Sequence, residues 1–396
     1  MVHQAVDFQA WETLAQRLTH TSVDSNWWWK TLGPHLLILL NGAGYTLDAQ
    51  VKALSFFYHL VAPSLGPKPM PLSAPFWKSF MTDDHTISSL AGTESDPLNQ
   101  KATLELLAQL AEAIPGLDLT LFHHFNNALF GPGSVAAQAA GKFSLFRVFE
   151  MSRTTGEIAV KAYFVPIETP GGPNAARQIY DTIRSSGCPN LKAVKELKAY
   201  LDNDAEGSMI RPILLGIDCV SSAGSRLKIY ARSPRTSFDF VRNVMSLGGR
   251  RTGLKKEERQ LRDLWTRVLG LEPNVSTSVD LPECSHPTAG TLFYFDVSAK
   301  DAVPDVKVYI PVRHYSQNDR QVAEGLTSFL QTHRRGGMYT TGYRQAVERL
   351  GLSGCGNGET SRGLHTDLMA AYQKGELGIT SYFSPQIFNP GAQDTR

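Results

Sequence analysis

Residues 213–231 read ILLGIDCVSSAGSRLKIYA, two largely apolar runs joined by a polar turn at Ala223–Gly224. The pattern predicts an antiparallel hairpin with strands Ile213–Cys219 and Ser225–Ala231. Strand side chains alternate between faces. Leu227, Ile229 and Ala231 therefore share one face of the second strand, while Arg226, Lys228 and Tyr230 share the other.

The same Lys-x-Tyr element recurs. Lys161-Ala162-Tyr163 falls in the second strand of a pair, Phe143–Glu150 and Glu157–Val165. Lys307-Val308-Tyr309 does so in Leu292–Val297 and Pro304–Ile310. A fourth pair, Thr366–Tyr372 and Leu377–Phe383, puts Thr380 and Tyr382 in the matching places, with Gly378 before them. Helical segments intervene: 173–186 and 189–202, one opened by Thr236 with Asp239 as a capping box, one marked by Leu261, Leu264, Trp265 and Val268, then 318–331 and 340–350. Leu104, Leu107, Leu110 and Ile114 mark another helix. The first part of the chain is also helical, with Trp27–Trp29 leading into an apolar stretch ending near Leu40 and a second helix over Leu47–Val61. A helix–helix–strand–strand unit thus repeats about every 70 residues, and such repetition decides architecture. The apolar rows need burial under helices, which turns the Lys and Tyr rows inward, and closure into a barrel removes the edge strands. The expected fold is α+β: repeated ααββ units forming an antiparallel β-barrel surrounded by helices, as a single domain over 1–396.

Composition narrows the partners. With 396 residues, 42% of them hydrophobic, the chain buries a large core. Its net charge of +2 and lack of a long basic tract argue against nucleic acid. Apolar runs such as Leu36–Leu40 are too short to span a bilayer, and Asp7, Glu12 and Arg17 break any signal-peptide order. Cys188, Cys219, Cys284 and Cys355 lack zinc spacing and read as reduced thiols of a cytoplasmic protein.

Lysines gathered inside a barrel repel one another, by about 4 kcal/mol per pair at 4 Å and an effective dielectric near 20. A multivalent anion such as diphosphate would relieve this. Tyrosine rings attract a cation by about 0.5–2 kcal/mol each and exclude water. An allylic diphosphate supplies both signs: an anionic leaving group and a carbocation. Other sites are weaker. Asp83-Asp84 has no further acid at helical spacing and reads as a turn rather than a metal site. Gly354, Gly356 and Gly358 lack the lysine of a phosphate loop. Cys219 reads as buried, His123-His124 and Trp27–Trp29 as packing, and His314 as a residue of the barrel rim.

Several segments resemble the fungal aromatic prenyltransferases of the dimethylallyltryptophan synthase type. They are Trp27–Trp29 with Ala43-Gly44-Tyr45 and Leu65-Gly66-Pro67, then Phe80 to Thr86, Ser225 to Tyr230 with Ser233 to Ser237, and Lys307 to Tyr315. The resemblance covers nearly the whole chain. It implies a ten-stranded barrel of ααββ units and metal-independent transfer of a prenyl group, dimethylallyl above all, from its diphosphate to an aromatic acceptor in alkaloid metabolism. Lys161, Arg226, Lys228 and Lys307 would contact the diphosphate. Tyr163, Tyr230, Tyr309 and Tyr382 would shield the cation. No cofactor is implied, since the diphosphate is a co-substrate. An indole or tryptophan-derived acceptor is implied first, with tyrosine or another phenol as the alternative.

The pattern breaks once. Relatives carry a strand pair between the blocks matching His85-Thr86 and Leu90 to Thr93, whereas here only Ile87, Ser88 and Ser89 intervene. Two strands and a turn need roughly 15–25 residues. The family's general-base Glu and one diphosphate-binding Arg, both on that pair, have no counterpart. A mis-joined exon, a variant barrel or a degraded copy would each produce the gap. Weak turnover, or diphosphate binding without turnover, is the expectation for such a chain.

Overall fold

The computed structural model describes residues 8–15, 18, 22–68, 98, 100–132, 134, 145–188, 191–298, 300–352, 362–373 and 375–384. It opens with α1 (Gln9–Ala15), α2 (Val23–Gly42) and α3 (Leu47–Phe56), which continues as a π turn over Phe57–Val61 and a short α4 (Ala62–Ser64). The hydroxyls of Ser22 and Thr46 cap α2 and α3 by accepting from the Ser25 and Ala49 amides. The three tryptophans lie inside α2 and anchor packing: Trp29 stacks on Trp11 at 4.3 Å, and Trp28 donates to the Gly66 carbonyl at 2.9 Å.

Four ααββ units follow. α5 (Lys101–Ala113) and α6 (Thr120–Phe130) precede β1 (Leu145–Met151) and β2 (Ile158–Phe164). α7 (Ala175–Ser185) and α8 (Leu191–Asn203) precede β3 (Arg211–Asp218) and β4 (Leu227–Ser233). α9 (Phe238–Met245) and α10 (Lys255–Leu269) precede β5 (Thr291–Val297) and β6 (Asp305–Ile310). After a short α11 (Val312–Tyr315), α12 (Asp319–Thr332) and α13 (Met338–Leu352) precede β7 (His365–Gln373) and β8 (Glu376–Phe383).

The strands form one antiparallel sheet in sequence order, β1 to β8. Alternation sorts their faces as expected. Val160, Ala162 and Phe164 of β2, Ile229 and Ala231 of β4, and Val306, Val308 and Ile310 of β6 are buried under the helices. Phe164 packs among Phe122, Phe125 and Phe130 of α6, with ring centroids 5.7–6.4 Å away. The capping box at α9 does not form. Ser237 is the N-cap, and the distant Asp280 carboxylate accepts from the Thr236 and Ser237 amides, both at 2.7 Å. Thr236 and Asp239 instead accept from the Leu281 amide and the Thr277 hydroxyl, because the 277–281 segment packs against this helix end.

The sheet is a curled half-barrel, in keeping with the expected prenyltransferase barrel short of one hairpin. Among the described residues no ladder joins β1 to β8, and the helix pair α2–α3 has no strand pair of its own. The curl still brings Tyr382 of β8 within electrostatic reach of Glu150 on β1 and Tyr163 on β2. Outside the sheet, a cavity of about 1000 Å³ lies between Leu36 and Leu39 of α2, Phe149 and Met151 of β1, and Ile379 and Phe383 of β8. Beside it α2 and α13 cross closely: a Cβ on Gly42 would sit 3.0 Å from the Gly342 carbonyl oxygen. The junction at Thr86–Leu90, Asp83-Asp84, Gly354–Gly358 and Cys355 lie outside the described residues. No described helix is long and apolar enough to cross a membrane.

Phe164→Ala, which empties a fully buried aromatic site, is expected to lower stability by about 3–5 kcal/mol in denaturant unfolding.

Candidate active site

Register gathers the polar rows on the inner face. Tyr163 pairs with Phe146 and Gly216, Lys228 with Gly216 and Asp296, Tyr230 with Leu214 and Tyr294, and Lys307 with Tyr294 and Ala371. Directly paired residues face the same side of a sheet. The second strands thus supply cations and tyrosines, and the first strands supply the residues that meet them.

Those partners include acids. Lys161 bonds Glu150, and Lys228 bonds Asp218. Arg226 donates to Asp218 at 2.9 Å and to Asp296 at 3.1 Å, and Lys307 lies 3.3 Å from Asp296. The cations therefore do not simply repel one another across an empty interior. Three carboxylates offset most of their charge and leave one positive charge over. Lys228 and Asp218 are 1% and 14% exposed, so that pair is largely shielded from water, whereas Lys161 meets a Glu150 that is 60% exposed. Burial pulls Lys228 down to about 8 despite the upward pull of Asp218. Burial opposes the charge on Asp218 too, but Lys228 and Arg226 outweigh it and hold the carboxyl below its usual range. Burial also works against Arg226, and there Asp296 and Asp218 win, keeping the guanidinium firmly charged. Lys228 thus changes its charge around pH 8.

The tyrosines form the next tier. Tyr230 contacts Tyr163 edge-on at 5.7 Å and Tyr309 at 5.9 Å, and Tyr309 contacts Tyr382 at 5.3 Å. The hydroxyls of Tyr230 and Tyr309, and of Tyr309 and Tyr382, are 3.3 Å apart. Burial raises the phenols, Tyr230 to about 12 and Tyr163 and Tyr309 further, so they stay neutral hydrogen-bond donors. A fifth ring belongs here: Tyr294 stacks on Tyr230 at 4.8 Å and 9°, with the Lys307 ammonium 4.4 Å from its centroid. Gly378 leaves no ring on β8 opposite Ala371.

The structure brings together all eight predicted site residues, Lys161, Arg226, Lys228, Lys307, Tyr163, Tyr230, Tyr309 and Tyr382. Sequence reasoning missed Glu150, Asp218, Asp296 and Tyr294. Each lies on the first strand of its hairpin, where a short apolar–acid–apolar element recurs as Phe149-Glu150-Met151, Ile217-Asp218-Cys219 and Phe295-Asp296-Val297, and strict alternation places Asp218 and Asp296 on the inward face. Cys219 is buried, which raises its thiol to about 12. His314 instead sits 2.7 Å from the Thr288 hydroxyl and beside His286.

Asp218→Asn leaves Lys228 and Arg226 short of a carboxylate. A stability loss of about 3 kcal/mol is expected. Added inorganic diphosphate should raise the melting temperature of this variant more than that of the wild type, because the anion takes the place of the lost charge.

Comparison with known proteins bears on the whole arrangement. The family model described as tryptophan dimethylallyltransferase matches residues 24–87 and 85–346. The break between its two pieces falls at the junction where a hairpin is lacking. Prenyltransferase anuH of Penicillium roqueforti is 31% identical, covering 96% of this chain and 93% of its own. That alignment runs to 425 positions against 396 residues here, so the relative carries segments without a counterpart. The 4-O-dimethylallyl-L-tyrosine synthase of Claviceps purpurea is 33% identical, covering 91% of this chain and 87% of its own. The crystal structure of AnaPT from Neosartorya fischeri superposes with a TM-score of 0.76 over 95% of this chain and 97% of that one, at 21% identity, and shares the fold. Repeated hairpins, an inner face of paired cations and tyrosines, and a sequence match along most of its length place this chain in the tryptophan dimethylallyltransferase family.

Proposed function

We propose that this chain is an aromatic prenyltransferase of secondary metabolism. It transfers a dimethylallyl group from its diphosphate to an aromatic small molecule, and the whole chain works as one barrel domain. The observation that carries this is the two-tier interior: a patch of four cations beneath a cluster of five neutral tyrosines. Lys161, Arg226, Lys228 and Lys307 bind the diphosphate and neutralise the charge that grows as the C1–O bond breaks. Tyr163, Tyr230, Tyr309 and Tyr382, joined by Tyr294, donate hydroxyls toward the leaving group and turn ring faces to the allylic cation. They also keep water from capturing it. The side-chain cations supply the positive charge that a metal would otherwise bring, so the reaction runs without metal and without a cofactor.

The acceptor is an indole, as the family's description implies. The similarity to a synthase named for O-prenylated tyrosine supports a phenol as the second reading. Reduced cysteines, Cys188, Cys219 and Cys284 among the described residues, support a cytoplasmic location.

Incubation with EDTA, dimethylallyl diphosphate and a panel of indoles and phenols should yield a product heavier by one prenyl unit in mass spectrometry. Lys161→Ala or Arg226→Ala should lower its yield at least tenfold. A folded protein that binds the diphosphate yet yields no product across the panel would make the chain a binder without turnover. Affinity for a thiolodiphosphate analogue should fall as pH rises through about 8, as Lys228 loses its proton. Lys228→Gln should flatten that slope in calorimetric titrations.

A further inference from the structure

Beyond the cation and tyrosine tiers, the inner face also carries Asp367 on β7. The ladder between β7 and β8 pairs His365 with Phe383 and then Leu368 with Ser381. Thr366 and Asp367 therefore both oppose Tyr382. This is a bulge, two residues against one, and bulges re-aim side chains and recur beside active sites. The Thr366 hydroxyl donates to the Tyr382 carbonyl at 3.4 Å. Asp367 is then in electrostatic contact with Arg232, from the inner row of β4, and with Tyr382. Met369, two residues on, packs into the tyrosine cluster.

Its surroundings differ from those of the other inner acids. Glu150, Asp218 and Asp296 are each tied to a lysine or arginine of the cation patch. Among the described residues Asp367 holds no ion pair with the cation patch. The charged and titratable groups facing it are Arg232 of β4, Arg313 of α11 and Tyr382 of β8. His314 and His286 stand behind Arg232, which donates to the carbonyls of Thr288 and Ala289. Burial raises the Asp367 carboxyl to about 6, with Arg232 and Arg313 limiting the rise. Asp367 is half-buried.

We infer that Asp367, re-aimed by the β7 bulge onto the inner face beside the tyrosine cluster, is the general base of the transfer reaction. The inference rests on the proposed prenyl transfer. The C1–O bond of the allylic diphosphate breaks, and its electron pair leaves on the diphosphate. A π pair of the aromatic ring forms the new bond to the prenyl carbon. The ring C–H then breaks, its electrons restore aromaticity, and the proton passes to an Asp367 carboxylate oxygen. A carboxylate near this basicity is ionised at working pH and still a competent acceptor.

The test is the rate of prenylated product across pH 5–9 for the wild type, Asp367→Asn and Asp367→Glu, with binding of the thiolodiphosphate analogue measured in parallel. Asp367→Asn should bind the analogue as the wild type does and lose about 100-fold or more in kcat. The acid limb of the wild-type profile, near pH 6, should vanish in Asp367→Asn and move in Asp367→Glu, which recovers part of the rate. Asp367→Asn within twofold of the wild type, or an acid limb that stays in place in Asp367→Glu, overturns the assignment alone. Absence of product from the wild type overturns it together with the functional proposal. If Asp367→Asn fails to fold, the Asp367→Glu profile decides.

Discussion

Lys228 is a cation almost cut off from water, and the inner face is arranged around keeping it charged. A buried ammonium needs a carboxylate within reach, and Asp218 provides it from the adjoining strand. That contact fixes more than one pair. Asp218 also takes Arg226, Arg226 reaches on to Asp296, and Asp296 meets Lys307. The second and third hairpins are thereby linked through their charged ends, while the first closes its own pair, Lys161 with Glu150. Gly216 belongs to the same constraint. It sits between Tyr163 and Lys228, and a Cβ there would fall 2.6 Å from the Tyr163 ring. Only a residue without a side chain lets the ring lie against β3 beside the lysine.

The polar interior is tolerable because the other face carries the hydrophobic burden. Residues one step along each strand, such as Ala162, Ile229 and Val308, are fully buried under the helix layer. A one-residue slip of register would exchange the two sets, placing lysines under helices and isoleucines in the cavity. The ion pairs add little net stability of their own, but they penalise every such slip. Chemistry and register are thus held by the same residues.

Much of this was legible in the sequence, and the reason is periodicity. Lys161, Lys228 and Lys307, each followed two residues later by tyrosine, made the inward row visible, because an element repeated at alternating positions of successive strands marks one face of a sheet. The outward row was visible for the same reason. The acids were also repeated, in Phe149-Glu150-Met151, Ile217-Asp218-Cys219 and Phe295-Asp296-Val297, but a single acid between apolar residues is a fainter signal than a Lys-x-Tyr pair and went unread. The capping box failed for a related cause. Thr236 and Asp239 have the right local spacing, yet a segment some 40 residues away supplies Asp280 and claims both side chains. Local spacing predicts local partners, and here tertiary packing overrode them. How far the sheet curls toward closure depends on how many strands share the curvature, which no single strand encodes.

The strand order has a consequence for how the molecule is made. Every strand pairs with its neighbour in sequence, so each hairpin can zip as soon as its own unit is complete, without searching the rest of the chain. Short closures of this kind carry a small entropic cost. A nascent chain therefore extends its sheet one unit at a time, and the growing edge always belongs to the hairpin most recently finished, while β1 stays the opposite edge. The long-range event comes last, when α13 docks against α2 at Gly42 and Gly342. Until then the growing edge is the point where a chaperone, or a second nascent chain, would find purchase.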